Sequence, residues 1–277
     1  MRPILTQPLK VEHLTVTIAD LPKNLQGTKI VQLSDLHYDG ECLSNSVLMQ
    51  AIEAANEAEP DFVVITGDFV TDDPNLIHEL TLRLKHLQSR CGVYGVLGNH
   101  DLYLRCSRAT IVKALNQIDI RVLWNEVVYP SDEGLALVGL ADYWSPDYRR
   151  SAEVMNQLPP DLPRIVLAHN PDCAEPLQQW RVDLQLSGHS HGGQMIIPGV
   201  ANVSVLCAKL YPHVPHKMRK KIKILGACYR VMKHWEWVKG LHQVGNNRLY
   251  VNRGLGTYFP GRLFCPPEVT IITLQAQ

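Results

Sequence analysis

The chain has 277 residues, 45% hydrophobic and 19% charged, enough for one large domain or two small ones around a sizeable core. Its formal net charge is zero, so the overall balance names no partner, and no uninterrupted apolar run approaches the roughly 18 residues of a membrane span. Seven cysteines, scattered and without a Cys-x-x-Cys, argue against a disulfide framework or a thiolate zinc site and for a reducing compartment. The first residues, Met-Arg-Pro-Ile-Leu-Thr-Gln-Pro, have neither a long apolar core nor a twin arginine, so no export signal is expected and the setting reads as cytoplasmic.

In chain order, Val11 to Ile18 alternates roughly as an edge strand does. Lys29 to Asp35 reads as a buried strand ending in Asp35-Leu36-His37. Ser44 to Ala58 reads as a helix, capped by Ser44, with Val47, Leu48, Ala51, Ile52 and Ala55 on one face. Phe62 to Ile65 is a second buried strand and ends in Gly67-Asp68. A helix is predicted from Asn75 to Ser89, with Leu76, Leu80, Leu84 and Leu87 inward. Gly92 to Leu97 is a third strand, ending in Gly98-Asn99-His100-Asp101, and Ser107 to Gln117 is a third helix. The short runs Val122 to Trp124, Glu126 to Tyr129 and Leu135 to Leu140 suggest a meander. Arg164 to Ala168 ends in His169-Asn170-Pro171, and Asp183 to Leu186 leads into Gly188-His189-Ser190-His191-Gly192. Leu249 to Asn252 and Val269 to Leu274 are strand-like. No repeat or linker interrupts the chain, and one domain over residues 1–277 is the simplest reading.

Strand, polar cluster, helix is the recurring order, which describes an α/β fold. In such folds ligands collect at the carboxyl ends of strands. If the strands lie side by side, Asp35, His37, Asp68, Asn99, His100, Asp101, His169, His189 and His191 all meet at one edge. In an extended segment i and i+2 point the same way, so His189 and His191 can face one point. Carboxylates, imidazoles and an amide oxygen, with no thiolate, suit two divalent transition-metal ions, manganese ahead of iron or zinc. The donors are too many for one tetrahedral ion and about enough for two bridged ions roughly 3.5–4 Å apart, the arrangement that clamps a phosphoryl group.

The ordered set Asp-x-His, Gly-Asp, Gly-Asn-His-Asp, His, Gly-His-x-His resembles the calcineurin-like metallophosphoesterase superfamily. The resemblance implies a four-layer α-β-β-α sandwich. It implies a first metal on Asp35, His37 and His191, a second on Asn99, His169 and His189, and Asp68 between them. It also implies that His100 faces the leaving group, with Asp101 orienting it. Ile30-Val-Gln-Leu-Ser-Asp-Leu-His37, Ala168-His-Asn-Pro-Asp172, Gly192-Gly-Gln194, Val251-Asn-Arg-Gly-Leu-Gly256 and Arg262-Leu-Phe-Cys-Pro-Pro-Glu-Val269 are similar to the bacterial YkuE/YaeI branch. That branch includes LpxG-type hydrolases of UDP-2,3-diacylglucosamine. The implied reaction is hydrolysis of a phosphodiester or pyrophosphate by in-line attack of a metal-activated hydroxide, with His100 protonating the departing oxygen.

One segment departs from this plan. Residues 209–240 carry nine Lys or Arg against one acid, Glu236, a net +8 that leaves −8 for the rest of a chain with 27 of each sign. Read as a helix, Met218, Ile222, Leu225, Tyr229 and Met232 form a stripe, followed by Trp235 and Trp237. A basic amphipathic insertion of this kind suits an anionic membrane surface or a lipid-linked substrate, with the protein peripheral at the inner face of the membrane. It equally suits a helix packing its stripe on its own domain. The alternative function is a nucleotide or nucleic-acid phosphodiesterase that uses the same cations against phosphates. Arg253 and Arg262 read either as phosphate contacts or as structural ion pairs.

Overall fold

Every side chain of Phe62-Val-Val-Ile-Thr66 is buried, and a strand buried on both faces must lie between two packed layers. The computed structural model, which describes residues 2–104, 107–131, 134–199, 201–215 and 229–277, supplies those layers. The first half of the chain runs β1 (Lys10–Ile18), β2 (Lys29–Leu33), α1 (Asn45–Glu57), β3 (Phe62–Thr66), α2 (Ile77–Leu84), β4 (Val93–Val96), α3 (Ser107–Asn116) and β5 (Ile120–Val122). The second half begins with β6 (Glu126–Val128), β7 (Ala136–Gly139), α4 (Ser151–Met155), β8 (Arg164–Leu167), α5 (Ala174–Leu177) and β9 (Leu184–Ser187). It continues with β10 (Ile196–Ile197), β11 (Ala201–Asn202), α6 (Val203–Leu210), β12 (Gly240–Val244), β13 (Asn247–Val251) and β14 (Glu268–Ala276).

Two six-stranded sheets result, ordered β1-β14-β2-β3-β4-β5 and β12-β13-β9-β8-β7-β6. The last strand, β14, inserts antiparallel to β2 and carries β1 parallel to it at the sheet edge, pairing Lys10 with Glu268 through Ile18 with Ala276. Ile30, Phe62 and Val64 of the first sheet meet Ile165, Leu167, Leu184 and Leu186 of the second in an apolar layer between the sheets. Outside it, α1–α3 cover the first sheet through Leu48, Ile52, Leu80 and Ile111. Met155, Cys173 and Leu177 cover the second. The fold is therefore the four-layer α-β-β-α sandwich.

Three local expectations change. The strands near 122–140 are not a meander: β5 pairs parallel with β4 in the first sheet, whereas β6 pairs antiparallel with β7 in the second. The crossing is made at Asn125, in the left-handed region at φ 52°. Its side chain donates to Asp147 O and accepts from Ala141 N. The second helix stops at Leu84 rather than Ser89, because Asn56 of α1 captures the following backbone, donating to His86 O and accepting from Gln88 N. Finally, the polar strand ends do not share one sheet edge but face each other from two sheets.

Within 209–240, Met218, Ile222, Leu225 and the cations Lys217, Arg219, Lys220, Lys221 and Lys223 lie outside the described residues. Of the described remainder, Met232 and Trp235 are buried with Ala208 and Trp237 packs against them, whereas Tyr229 is exposed. Met232 and Trp235 are thus covered by their own domain. Among the described residues no helix is long and apolar enough to cross a membrane.

Candidate metal centre

Asp35 and His37 follow β2, Asp68 follows β3, and Asn99 and His100 follow β4, all on the first sheet. His169 follows β8, and His189 and His191 follow β9, on the second. The structure brings the seven sequence-derived ligand candidates together where the two sets of strand ends oppose. Asp35, His37 and His191 form one group, and Asp68, His169 and His189 another; within each group, one donor atom per residue lies within 4.8 Å of the others. Asp68 joins the groups: its Oδ2 is 3.3 Å from His37 Nε2 and 3.1 Å from His169 Nε2. Its Oδ1 is held away by the backbone N–H of His100 at 2.9 Å.

Each imidazole has one nitrogen committed to a partner outside the cluster. His169 Nδ1 donates to Thr66 O (2.8 Å), His191 Nδ1 to Gly256 O (3.2 Å) and His189 Nε2 to Val231 O (2.8 Å). The Tyr258 hydroxyl lies 2.8 Å from His37 Nδ1. The three carbonyls fix the tautomers of His169, His191 and His189, and the four contacts together turn the other nitrogens inward. There His37 Nε2 faces His191 Nε2 at 3.1 Å, and His189 Nδ1 faces His169 Nε2 at 3.1 Å. Lone pairs aimed at each other repel unless a proton or a cation lies with them. Asn99 Oδ1 is buried with no hydrogen-bond partner among the described residues, and a buried acceptor in that condition costs about 1–3 kcal/mol. Oxygen and imidazole donors left facing one another in this way fit divalent metal ions.

The backbone is bent to achieve this. Asp35, His37, Asp68, His189 and His191 all have φ between 44° and 69°, the left-handed region that non-glycine residues avoid. The glycines beside them permit close approach: a Cβ on Gly188 would lie 1.9 Å from Ser34 Oγ and 2.2 Å from Asp35 Oδ2. Asp35 also accepts the His189 N–H, at 2.9 Å to Oδ1, and so links the sheets.

Charges inside the cluster are strongly perturbed. Burial would raise the Asp68 carboxyl, but His169 and His37 hold it well below its ordinary range. Burial would lower His169, yet Asp68 pushes it up to about 10. Burial, reinforced by His169, takes His189 down to about 3. Burial and then the neighbouring His37 depress His191 as well. Asp68 thus favours a proton on His169, and a cation bound between them would have to displace it.

His100 lies beside this cluster on the rim of a cavity of about 350 Å³ that Asp68, Asn99, Trp144 and Tyr258 also line. Asp101, expected to orient His100, does something else. Its Oδ1 accepts from Phe69 N (2.8 Å) and Val70 N (3.2 Å), and its Oδ2 from Gly98 N (2.9 Å), so it ties the Asp68 loop to the Asn99 loop. Burial, with Asp68 close by, raises its carboxyl to about 7. The group on His100 Nδ1 is the carbonyl of Thr71, 2.9 Å away.

Tyr258, Thr71, Val231 and Trp144 were not singled out from the sequence. Three act through groups no motif marks, two backbone carbonyls and an indole at the cavity mouth; Tyr258 lies 221 residues from the histidine it contacts. Arg253 and Arg262 resolve as structural. Arg253 pairs with Glu12 (2.8 Å) and Glu268 (2.7 Å). Arg262, fully buried, donates to the carbonyls of Arg253 and Gly256, each at 2.7 Å, and to that of Gly254 at 3.1 Å.

Residues 28–193 match the family described as calcineurin-like phosphoesterase. The chain is 29% identical over 276 residues to a protein named phosphodiesterase YaeI from Escherichia coli, covering 97% of this chain and 90% of that one. It is 29% identical over 272 residues to the uncharacterized metallophosphoesterase YkuE from Bacillus subtilis, covering 96% and 85%. It is 27% identical over 316 aligned positions to UDP-2,3-diacylglucosamine pyrophosphatase LpxG from Chlamydia trachomatis, covering 95% and 88%.

Proposed function

The chain belongs to the calcineurin-like phosphoesterase family of metal-dependent phosphoester hydrolases, and from that premise we propose that it hydrolyses a phosphodiester or pyrophosphate with two divalent ions, as a single catalytic domain. Asp35, His37 and His191 would hold one ion, Asn99, His169 and His189 would hold the other, and Asp68 lies where it could serve both. The observation that carries this reading is Asp68 Oδ2, shared between imidazoles of two opposed sheets at 3.3 and 3.1 Å. Three oxygen ligands and four imidazoles, with no thiolate, suit borderline-hard ions, manganese first and then iron or zinc.

When bound, such ions neutralise phosphoryl oxygens and lower the pKa of water toward neutrality. The remaining work falls to side chains. With Nδ1 donating to Thr71 O, His100 keeps Nε2 to carry a proton to the departing oxygen. Asp101 holds the two loops on which Asp68 and Asn99 sit. Tyr258, Thr66 O, Gly256 O and Val231 O keep the ligand nitrogens aimed inward. The LpxG relative supports a lipid-linked pyrophosphate as substrate, with residues 229–238 at its approach.

The test is turnover of bis-nitrophenyl phosphate by protein of known metal content. Activity should vanish on chelation and return best with Mn²⁺. Full activity in protein shown by elemental analysis to be metal-free would sink the reading.

A further inference from the structure

A ribbon of short segments borders the metal cavity, joined edge to edge by backbone hydrogen bonds. Arg262 N donates to Leu5 O and Leu263 N to Gln194 O, each at 2.9 Å, and β10 pairs with β11, which leads straight into α6. Gln194, Ser204 and Tyr258, at the ends of three of these segments, line the cavity over Asp68 and His100. Residues 229–238 wall the same cavity through Arg230, Val231 and Trp235. The ribbon faces water with apolar side chains. Ile4 and Leu5 are exposed, as are Phe259, Phe264 and Ile197. Helix α6 packs Val205 and Ala208 against Met232 and Trp235 but leaves Leu206 and Leu210 exposed, where a surface helix ordinarily carries polar residues. Phe264 departs furthest from a soluble surface. It is 58% exposed and sits at φ 49°, a left-handed conformation that bulky residues avoid. That strain brings the fold little packing in return, and such outliers persist where they serve a site. Acids are scarce here too: of the chain's 27, Glu236 alone falls between residues 184 and 267, and none falls before Glu12. Lys209 of α6 is exposed beside Leu210.

We propose that this ribbon docks the protein on an anionic lipid bilayer, with Leu206, Leu210, Phe259 and Phe264 entering the headgroup region and the cavity mouth beside them. Single exposed apolar residues are ordinary, but a contiguous set marks an interaction surface. None of these four lines the catalytic cavity, so substrate burial does not account for them. Aliphatic and aromatic tips gain by leaving water for the bilayer boundary. The missing carboxylates are the groups that anionic headgroups would repel, and Lys209 adds attraction. The inference concerns where the protein works, not what it cleaves, and its test needs neither metal nor turnover.

The experiment is co-sedimentation of the full chain with phosphatidylcholine vesicles, with and without phosphatidylglycerol, at about 0.15 M and about 1 M salt. Wild-type protein should pellet with the phosphatidylglycerol vesicles at both salt concentrations, because screening weakens charge attraction but not apolar burial. In Leu206→Gln/Leu210→Gln/Phe264→Asn the partition coefficient should fall about 10- to 100-fold. Leu82→Gln, at an exposed leucine of α2 outside the ribbon, should leave it unchanged. Should the triple variant fail to fold, Phe264→Asn alone relieves backbone strain, since asparagine tolerates the left-handed region, and should lower the partition severalfold. Wild-type protein that stays in the supernatant overturns the proposal. So does binding that the variants retain, or that 1 M salt abolishes, since charge elsewhere would then carry it. A wild-type dimer in sedimentation equilibrium that the variants lose, with no vesicle binding, puts a second copy of the chain on the ribbon instead.

Discussion

The four candidate ligand imidazoles each spend one nitrogen on a fixed partner, whereas the wall at 229–238 rests on hydrogen bonds to Asp172, Ser190 and His189 and on two buried side chains. The cradle carries left-handed backbone at five ligands, about 1–3 kcal/mol each, and persists because both sheets over-determine it. The wall carries little such strain and is stabilised by burial of Met232 and Trp235, about 2–3 kcal/mol each. Geometry that must be held within tenths of an ångström is built on strand ends. The wall is laid against that frame through hydrogen bonds to Asp172, Ser190 and His189.

The largest expected break is Asp68→Ala. It removes the oxygen common to both groups, so elemental analysis should find both ions lost and activity down by more than about 10³-fold. Retention of full metal would show that the halves of the cradle are independent. Next is His100→Ala, which should keep its metals. It should lose about 10²–10⁴-fold on a substrate with a poor leaving group and much less on a nitrophenyl ester, because nitrophenolate needs no proton. Equal losses on both would assign His100 to the cradle instead. The smallest is Asp172→Ala, which leaves the N–H groups of Lys233 and His234 without their acceptor, a cost of about 1–3 kcal/mol. Metal content and bis-nitrophenyl phosphate turnover should change little, while KM for a diphosphate rises severalfold. A parallel loss of metal would mean that wall and cradle act as one unit through Val231.

That the candidate ligands would gather in one place was legible because each sits in a short motif closing a buried strand, where residue type and position coincide. Which sheet each strand joins was not legible. Alternation within Val122 to Leu140 is the same in a meander as in two edges of different sheets, and the switch depends on one left-handed asparagine. The supports of the cradle were hidden for another reason: the carbonyls of Thr66, Thr71, Val231 and Gly256 belong to every residue alike. Charge in 209–240 was visible as composition, but the burial of Trp235 depends on Ala208 and Met232 meeting it in space.

The parallel pairing of β1 with β14 has a consequence for attachment. Lys10 and Glu268 lie at the end of the first sheet where β2 delivers Asp35, and Ile4 and Leu5 donate to Pro260 O, two residues past Tyr258. Nine residues of strand, about 30 Å, carry the other terminus to the opposite end of the sheet. A tether fixed ahead of residue 4 would draw the catalytic mouth toward whatever it is fixed to, and one fixed after residue 276 would turn the mouth outward. Immobilised through opposite ends on the same support, the enzyme should show unequal turnover of a bulky substrate, with the carboxyl-terminal attachment the faster.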